Sequence, residues 1–311
     1  MSTAFIFPGQ GSQTVGMGKA LHDAFPASRA VFEEVDAALG QKLSALIFEG
    51  PGDELTLTAN AQPALMAVSL AALRALETEK GVDLRRDVAF VAGHSLGEYS
   101  ALAAAGALSI TDTAKLLRIR GDAMQKAVPV GLGGMAALIG ATKEQAAEVA
   151  KEAAEGEVCE LANDNGGGQV VISGHASAIA RAIPIAQGKG IRRALALPVS
   201  APFHCSLMQP AAEAMAAALA QANIKAPVVP VVANVLAVAS SDPDDIRRRL
   251  VEQVTGSVRW AESMAWLGGQ GVNRFVEVGA GKVLSGLVKR VVEGASAANV
   301  ATPDDVNAYT A

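Results

Sequence analysis

The sequence is poor in cysteine, in aromatic residues and in charge. Its 311 residues include two cysteines, and only 4% of the residues are aromatic and 18% charged. Two cysteines are too few for a disulfide framework or a four-ligand zinc site, so we interpret Cys159 and Cys205 as reduced thiols and expect no metal site. Half of the residues are hydrophobic, which is enough for a large buried core.

Long hydrophobic runs and an excess of positive charge are also absent. No apolar run approaches the roughly 20 residues that cross a bilayer, and no basic leader precedes the first strand-like stretch. We therefore expect a cytoplasmic protein without a membrane partner. The formal net charge of -5 disfavours nucleic acid as a partner, because a phosphate backbone is bound by clustered Lys and Arg. Small basic clusters remain at residues 192–193, 247–249 and 289–290.

The order of apolar runs predicts an α/β protein with one inserted unit. Strand-like runs at residues 4–7, 88–92, 228–234 and 274–279 alternate with helical stretches. One of these helices is expected to open at Gln62, with Pro63 in its first turn, where the missing N–H does no harm. From residue 294 we expect a loose tail with a short last strand or coil.

Residues 129–198 form a self-contained pattern in the order β-α-β-β-α-β, which is typical of a ferredoxin-like fold. We therefore expect a small subdomain at 129–198, inserted between two parts of a large subdomain at 1–128 and 199–311. The predicted strands span 135–139, 158–162, 169–173 and 193–197, and the predicted helices span 143–154 and 176–187.

Residues 93–97, Gly-His-Ser-Leu-Gly, lie between a buried-strand pattern and a helix. A nucleophile elbow needs this order, because only small residues permit the tight turn that lifts a serine oxygen clear of the sheet. Ser95 would also lie at the start of the following helix, whose N–H groups favour developing negative charge. The alternative is a glycine-rich turn in which Ser95 caps the helix.

A nucleophilic serine needs a base, and the sequence offers four histidines. His22 lies in a predicted amphipathic helix and His175 precedes a helix, so packing and capping explain them. His94 lies inside the turn and should point away from the oxygen of Ser95. His204 follows a strand in a loop, where catalytic residues are commonly displayed. Elimination favours His204 as the base, with a structural histidine as the alternative.

Several motifs, in order along nearly the whole chain, resemble the bacterial malonyl-CoA:acyl-carrier-protein transacylase family. The resemblance is carried by residues 7–13 (Phe-Pro-Gly-Gln-Gly-Ser-Gln), 93–99, 120–121 with 124–125, 202–204, 250–253 and 277–284. With the pattern of elements, it predicts an α/β fold: an α/β-hydrolase-like large subdomain with an inserted ferredoxin-like small subdomain.

The resemblance also implies roles for individual residues. In that family a serine takes a malonyl group from malonyl-CoA and passes it to the phosphopantetheine thiol of acyl carrier protein. Ser95 would be the nucleophile and His204 the base, and the N–H groups of Gln10 and Leu96 would form the oxyanion hole. Gln253 would orient His204 through a backbone carbonyl. No bound cofactor or metal is implied, and we expect a monomer.

Three further parts of the expected pocket follow from the same resemblance. Arg120 would bind the malonyl carboxylate, since a guanidinium holds a carboxylate with two parallel hydrogen bonds; its helical position alone is equally consistent with a surface arginine. Phe203 is similar to an aromatic that limits room for an α-methyl group, with loop packing as the alternative. Asn163 and Asn165 resemble a loop that lines the cleft, but asparagine is equally suited to turns.

A basic rim is expected around the pocket, because carrier proteins are acidic. Merely solvated charges are the alternative for these side chains. The rival functions are a serine thioesterase or hydrolase, a carrier-binding protein without chemistry, and an acyltransferase of the same family that serves polyketide synthesis instead of fatty-acid synthesis. The candidates for the rim are Arg192, Arg193, Lys289 and Arg290.

Overall fold

The computed structural model describes residues 2–199 and 201–310. Residues 1, 200 and 311, which the predicted large subdomain includes, lie outside the described residues. Within them the strands are β1 (Ser2–Phe7), β2 (Phe90–Gly93), β3 (Gly133–Ile139), β4 (Cys159–Asp164), β5 (Gln169–His175), β6 (Arg193–Ala196), β7 (Val231–Ala233), β8 (Val238–Ser240), β9 (Val272–Val278) and β10 (Ser296–Val300).

The helices account for most of the remaining chain, and among the described residues none is both long and apolar enough to cross a membrane. A short 3₁₀ helix spans Ser206–Met208. The α-helices are α1 (Lys19–Ala24), α2 (Pro26–Leu39), α3 (Leu43–Glu49), α4 (Gly52–Thr56), α5 (Thr58–Lys80), α6 (Leu84–Asp87), α7 (Gly97–Ala104), α8 (Ile110–Ala127), α9 (Lys143–Ala154), α10 (Ala176–Gly188), α11 (Gln209–Gln221), α12 (Pro243–Thr255), α13 (Trp260–Gly269), α14 (Val283–Val288) and α15 (Pro303–Ala308).

The larger sheet has the strand order β10-β9-β1-β2-β7-β8. All neighbours in it are parallel except β8, which pairs antiparallel with β7 at one edge. Residues 4–7 of strand β1 form an uninterrupted apolar run, as expected for a strand that is covered on both faces. Its residues Phe5 and Phe7 pack into the main core on one face, and Ala4 and Ile6 pack into a second core on the other.

The carboxyl ends of β1, β2 and β7 meet at one edge of this sheet. Phe7 pairs with Gly93 in parallel register, so the loop after β1 and the turn after β2 leave the sheet side by side. A Cβ atom on Gly97 would lie 2.3 Å from the carbonyl oxygen of Phe7, and one on Gly93 would lie 1.9 Å from the carbonyl carbon of Gly97. Only glycine fits at either position, which explains the spacing of the motif.

Helix α8 packs against α5 at very short range. A Cβ atom on Gly121 would lie 2.5 Å from the Cα atom of Ala59. This approach brings the side chain before Gly121, Arg120, within reach of α5. Close backbone packing at a glycine therefore determines where a charged side chain enters the core.

The smaller sheet is antiparallel, with the order β4-β5-β3-β6. Helices α9 and α10 cover one face with their own hydrophobic core. The chain order β3, α9, β4, β5, α10, β6 is the predicted β-α-β-β-α-β order, and the two-subdomain α/β fold class is thereby confirmed. The exact boundaries at 129 and 198 stay a prediction, with β3 beginning at Gly133 and β6 ending at Ala196.

A short parallel β-bridge between Asn163 and Val258 joins the small subdomain to the large one. The N–H of Asp164 donates to the carbonyl oxygen of Val258 at 3.0 Å, and the N–H of Val258 donates to that of Ala162 at 2.9 Å. Strand β4 is thus tied to the segment that follows α12.

Three local predictions were wrong. Helix α5 begins at Thr58 instead of Gln62, so Pro63 lies inside it, where the ring removes one backbone donor. The strand expected at 228–234 is shortened to β7, because the chain turns back into β8. The tail from residue 294 contains the expected short strand, β10, but it is not loose, because β10 pairs with β9 and α15 follows with a capping box at Thr302.

Candidate active site

A cavity of about 540 Å³ lies between the carboxyl edge of the large sheet and the face of the small sheet that α9 and α10 leave uncovered. Its polar wall comes from the loops after β1, β2 and β4 and from α8. Its apolar wall comes from the small sheet. The predicted site residues in its lining are Gln10, Ser95, Leu96, Arg120, Asn163, Asn165, Phe203 and His204.

The structure brings Ser95 and His204 into direct contact. The Oγ atom of Ser95 lies 2.7 Å from Nε2 of His204. Both residues have a left-handed backbone, with φ of 53° at Ser95 and 58° at His204. Such conformations are strained for residues with a side chain and persist only where the surroundings enforce them, as they do at many active sites.

The other ring nitrogen of His204 faces two backbone carbonyls. Nδ1 lies 2.9 Å from the oxygen of Gln253 and 3.1 Å from that of Gly256. Carbonyls only accept hydrogen bonds, so Nδ1 carries the proton and Nε2 presents its lone pair to Ser95. Burial, and then the positive charge of Arg120, lowers the pKa of His204 to about 3. The ring is therefore a neutral acceptor near neutral pH.

Two residues beside Ser95 line the cavity with a free backbone N–H group. Leu96 is the N-cap of α7, so its N–H makes no hydrogen bond within that helix, and Gln10 lies in the turn after β1. No hydrogen bond within the described residues uses the N–H of either residue. The N–H of Ser95 itself is occupied, because it donates to Oδ1 of Asn234 at 2.8 Å. The side chain of Gln10 accepts a hydrogen bond from Thr58.

Arg120 is buried in the core, with 1% of its surface exposed, so the surface-arginine alternative is wrong. Nη1 donates to Oε1 of Gln62 at 2.7 Å. Nη2 donates to Oε1 of Gln253 at 2.9 Å and to Oγ of Ser95 at 3.1 Å. Burial lowers the pKa of Arg120, and nearby Tyr99 and Glu98 oppose that shift.

The guanidinium of Arg120 keeps unused donors. It has five N–H bonds, and three of them are occupied by the contacts above. Its Nε atom is buried without a partner among the described residues. An unpaired buried donor is costly, so this group is suited to receive an anionic acceptor from the cavity.

Gln253 lies behind the site and is fully buried. Its Nε2 donates to Oε2 of Glu98 at 2.8 Å and to the carbonyl oxygen of Ser95 at 3.0 Å. The side chain thus contacts the turn that carries Ser95, while the backbone carbonyl of Gln253 contacts His204. A carboxylate within hydrogen-bonding distance of His204 is absent from the described hydrogen bonds.

Two buried residues at the base of the turn were missed by sequence reasoning. Asn234 accepts from the N–H of Ser95, and its Nδ2 donates to the carbonyl oxygen of Gly93 at 2.7 Å. Glu98 accepts from the backbone N–H of Asn234 at 2.9 Å. Both had a sequence signal: Asn234 ends an apolar strand, and Glu98 is a lone carboxylate in an apolar helix. Burial raises the pKa of Glu98 to about 7, although its hydrogen-bond donors and Arg120 act against that rise.

The predicted pocket residues from the small subdomain and the histidine loop also lie in the cavity wall. Asn163 is 7% exposed in β4, so the turn alternative is wrong for this residue. Asn165 follows β4, and its Oδ1 lies 2.8 Å from Nε2 of His94, inside the serine turn. The rings of His94 and Trp260 are tilted by 55° with their centroids 5.5 Å apart, and none of the described hydrogen bonds joins His94 to Oγ of Ser95. Phe203 packs between the main core and the cavity face of the small sheet.

Three of the four predicted basic-rim residues gather near one side of the cavity. Arg193 pairs in β6 with Ile139, which lines the cavity. A Cβ atom on Gly140 would lie 3.1 Å from Cβ of Arg192, and one on Gly167 would lie 2.5 Å from Cδ of Arg290.

The two loops that lie beside Arg192 and Arg290 touch each other. The N–H of Gly140 donates to the carbonyl oxygen of Gly168 at 2.7 Å. Lys289 directly follows α14 and is exposed, next to Arg290 in sequence. Among the described residues, no carboxylate forms an ion pair with Arg192, Arg193, Lys289 or Arg290.

Neither cysteine takes part in this arrangement. Cys159 and Cys205 are buried and form no disulfide bond, and burial raises the pKa of each thiol to about 11. Cys205 donates its S–H to the carbonyl oxygen of Pro202. In the part of the chain that the structure describes, no group of three or more His, Cys, Asp or Glu side chains is arranged to hold a metal ion.

Comparisons with known proteins agree with this geometry. The model of the acyl transferase domain family matches residues 4–303. The malonyl CoA-acyl carrier protein transacylase of Bacillus subtilis (strain 168) is 48% identical over 304 residues, which cover 97% of this chain and 94% of the relative.

Solved structures are similar over the whole chain as well. An acyl-carrier-protein-S-malonyltransferase from Bartonella henselae superimposes with a TM-score of 0.97 at 57% identity, covering 99% of this chain and 98% of that one. A malonyl-transacylase in complex with its type II PKS acyl-carrier protein superimposes with a TM-score of 0.95 at 42% identity, covering 99% of this chain and 98% of that one.

Proposed function

Because the chain belongs to the acyl transferase family, we propose that it transfers the malonyl group of malonyl-CoA to the phosphopantetheine thiol of acyl carrier protein. The observation that carries this proposal is the convergence of two groups on one oxygen. Oγ of Ser95 lies 2.7 Å from Nε2 of His204 and 3.1 Å from Nη2 of Arg120. A nucleophile, a base and a cation suited to a carboxylate therefore meet in one cavity.

In the first half-reaction Ser95 is acylated. Nε2 of His204 accepts the Oγ proton as Oγ bonds to the thioester carbon. The carbonyl oxygen becomes an oxyanion, which the N–H groups of Gln10 and Leu96 stabilise by hydrogen bonds. When this intermediate collapses, the bond between carbon and sulfur breaks, and His204 returns the proton to the sulfur of CoA. The malonyl group is left as an ester on Ser95.

The second half-reaction runs in the opposite sense. The pantetheine thiol of the carrier protein gives its proton to His204 and attacks the ester carbon. Collapse of the second oxyanion breaks the ester bond, and His204 protonates Oγ of Ser95. The carbonyl of Gln253 holds the Nδ1 proton in both halves, so it does the positioning that a carboxylate does in the usual triad.

Arg120 gives the reaction its preference for malonyl groups. Its unused donors, including Nε–H, are available to a carboxylate, and a charge-assisted hydrogen bond is about twice as strong as a neutral one. Such a contact fixes one end of the malonyl group, so the thioester at the other end is oriented toward Ser95. Phe203 in the cavity wall would limit room for an α-methyl group, and Asn163 and Asn165 would complete the pocket.

The basic rim formed by Arg192, Arg193, Lys289 and Arg290 would receive the acidic carrier protein. These side chains have no acidic partner among the described residues, and three of them lie near the edge of the cavity. Opposite charges on the two proteins would raise the rate of encounter. In this proposal the enzyme acts as a cytoplasmic monomer without a bound cofactor and supplies fatty-acid synthesis.

A second candidate function is supply of the same group to polyketide synthesis. The similarity to a malonyl-transacylase in complex with a type II PKS acyl-carrier protein favours it. The chemistry is the same, so the carrier protein alone distinguishes the two pathways.

A transfer assay tests the proposal against the thioesterase alternative. Malonyl-CoA and phosphopantetheinylated carrier protein are mixed with the enzyme, and malonyl-carrier protein and free malonate are both measured by mass spectrometry. We expect the carrier protein to receive most of the malonyl group. Release of free malonate at the same rate with and without the carrier protein would instead identify a hydrolase.

A further inference from the structure

Glu98 is a buried carboxylate that contacts neither the cavity nor a positive side chain directly. It lies in the first turn of α7, three residues after the nucleophile, and 3% of its surface is exposed. No ion pair within 4.0 Å involves it among the described residues. A buried carboxylate is costly unless its hydrogen bonds serve a purpose, and the reaction proposed above assigns it none.

The carboxylate holds two residues that each contact the catalytic pair. Oε2 of Glu98 accepts from the backbone N–H of Asn234 at 2.9 Å and from Nε2 of Gln253 at 2.8 Å. Asn234 in turn accepts from the N–H of Ser95. Oε2 of Glu98 therefore accepts hydrogen bonds from both Asn234 and Gln253, the two residues whose side chains contact the backbone of Ser95.

The contact with Gln253 also decides which way its amide points. Nε2 faces three acceptors: Oε2 of Glu98 at 2.8 Å, the carbonyl oxygen of Ser95 at 3.0 Å and, at a longer 3.4 Å, Oδ1 of Asn234. Both of its hydrogens are therefore used. Oε1 then must face the opposite side, where it accepts from Nη2 of Arg120. A flipped amide would turn its oxygen toward three other oxygens and its N–H₂ group toward a cation. The amide is thus fixed between the carboxyl group of Glu98 and the guanidinium of Arg120.

We propose that Glu98 is a positioning residue for malonyl selectivity, acting through the amide of Gln253. By fixing this amide, Glu98 keeps Oε1 in contact with Nη2 of Arg120 and so keeps the guanidinium beside the oxygen of Ser95. This role rests on the proposed function, because it matters only where Arg120 binds a substrate carboxylate. Glu98 touches no substrate itself.

Two substitutions separate the hydrogen-bond acceptor from the charge. Glu98→Leu removes the acceptor, whereas Glu98→Gln keeps one carbonyl oxygen that can accept from both Asn234 and Gln253. The readout is the ratio of kcat/KM for malonyl-CoA to that for acetyl-CoA, measured as acylation of Ser95. This ratio does not depend on how much of the sample is folded, so a purely structural role would leave it unchanged.

We expect Glu98→Leu to lower the malonyl-to-acetyl ratio by about tenfold or more, since a lost charged hydrogen bond is worth more than ~1.4 kcal/mol. Glu98→Gln should lower it by less than about threefold. An unchanged ratio in Glu98→Leu would overturn the inference. An equally large fall in both variants would show that the charge, and not the orientation of the amide, is what matters.

A double-mutant cycle tests the route through Gln253. The backbone carbonyl that holds His204 remains in Gln253→Leu, but the side-chain amide is gone. In this background Glu98→Leu should change the ratio by no more than about twofold. A further fall as large as in the wild-type background would contradict a route through Gln253. If Glu98→Leu alone does not fold, Gln253→Leu is compared with the wild type instead: an unchanged malonyl-to-acetyl ratio in Gln253→Leu would overturn a route through this amide.

The inference and the proposed function fail in different ways. If the wild-type protein forms no malonyl ester on Ser95, the proposed function is wrong. If the wild type forms the ester and prefers malonyl to acetyl groups, but Glu98→Leu keeps the same preference, only the role of Glu98 is wrong.

Discussion

The Nη2 atom of Arg120 donates a hydrogen bond to the Oγ atom of Ser95 at 3.1 Å. The two residues come from different layers: Ser95 from the turn before α7, and Arg120 from the middle of α8, where Gly121 allows contact with α5. The group that would recognise the substrate's charge and the group that would attack its carbonyl are therefore held at a fixed separation.

Loss of the guanidinium should change substrate preference. We expect Arg120→Ala to lower kcat/KM for malonyl-CoA by about a hundredfold or more, because a charge-assisted bidentate contact is lost. Acetyl-CoA should be affected much less, so the malonyl-to-acetyl ratio falls. Arg118→Ala is the matched control: Arg118 lies two residues away on α8, is half-buried and donates to Asn60 and Gln41. Equal losses for both substrates in Arg120→Ala would show a structural role.

The acid limb of the acylation rate should lie well below the ordinary range of histidine. Burial lowers the pKa of His204 from its usual 6.5 to about 3, and a lowered pKa keeps the ring in its basic form as the pH falls. The rate of Ser95 acylation should therefore not halve at pH 6.5 when it is measured from about pH 5 to about pH 8.

Glu98 provides the control for this pH profile, because its own pKa is raised to about 7. An inflection near pH 7 in the wild type that disappears in Glu98→Gln belongs to this carboxyl group. A midpoint near 6.5 that persists in Glu98→Gln would contradict the account of His204.

The close packing of α8 on α5 makes a stability prediction. Gly121→Ala places a methyl group against the backbone of Ala59, so we expect it to lower the free energy of unfolding by ~1–3 kcal/mol and to raise KM for malonyl-CoA by displacing Arg120. The control is Gly188→Ala in α10, where a Cβ atom would meet nothing within 4 Å. Chemical denaturation compares the two. Gly121→Ala with wild-type stability and KM would contradict this reading of the helix contact.

The basic-rim residues should affect the reaction with the carrier protein and not the reaction with malonyl-CoA. Arg193→Glu and Lys289→Glu should each raise KM for the carrier protein several-fold, on the order of tenfold at low salt, and leave acylation by malonyl-CoA unchanged. Lys225→Glu serves as the control, because Lys225 precedes β7 and so lies at the edge of the sheet opposite to the site. Carrier-protein kinetics that do not change in the rim variants would show that these charges are merely solvated.

Local pattern was enough to predict most of the fold. The helix at Lys143–Ala154 has the predicted bounds, because its capping box and apolar spacing lie within the helix itself. The start of α5 was misplaced because the packing of Gly121 on Ala59, over sixty residues apart, extends that helix beyond the proline. The regular structure of the tail was underestimated because β10 is held by its pairing with β9, and the local sequence pattern does not reveal that contact.

In the site, too, features formed by neighbours in sequence could be predicted, and contacts between residues far apart in sequence could not. The turn at Ser95 could be predicted because strand, glycines and helix are adjacent in sequence. The burial of Arg120 could not be derived from its helix, because Gln62 and Gln253, which accept its hydrogen bonds, are 58 and 133 residues away. Glu98 and Asn234 were not predicted for the same reason: the contact of Glu98 with Gln253 and that of Asn234 with Ser95 join residues that are 155 and 139 positions apart.

The most direct test of the central claim is acylation of Ser95 by malonyl-CoA alone. Intact-protein and peptide mass spectrometry should show one malonyl group on wild-type protein, carried by the peptide that contains Ser95 and removed when phosphopantetheinylated carrier protein is added. Ser95→Ala should carry none. A wild-type protein that takes up no label, or a Ser95→Ala protein that is labelled to the same extent, would contradict the account.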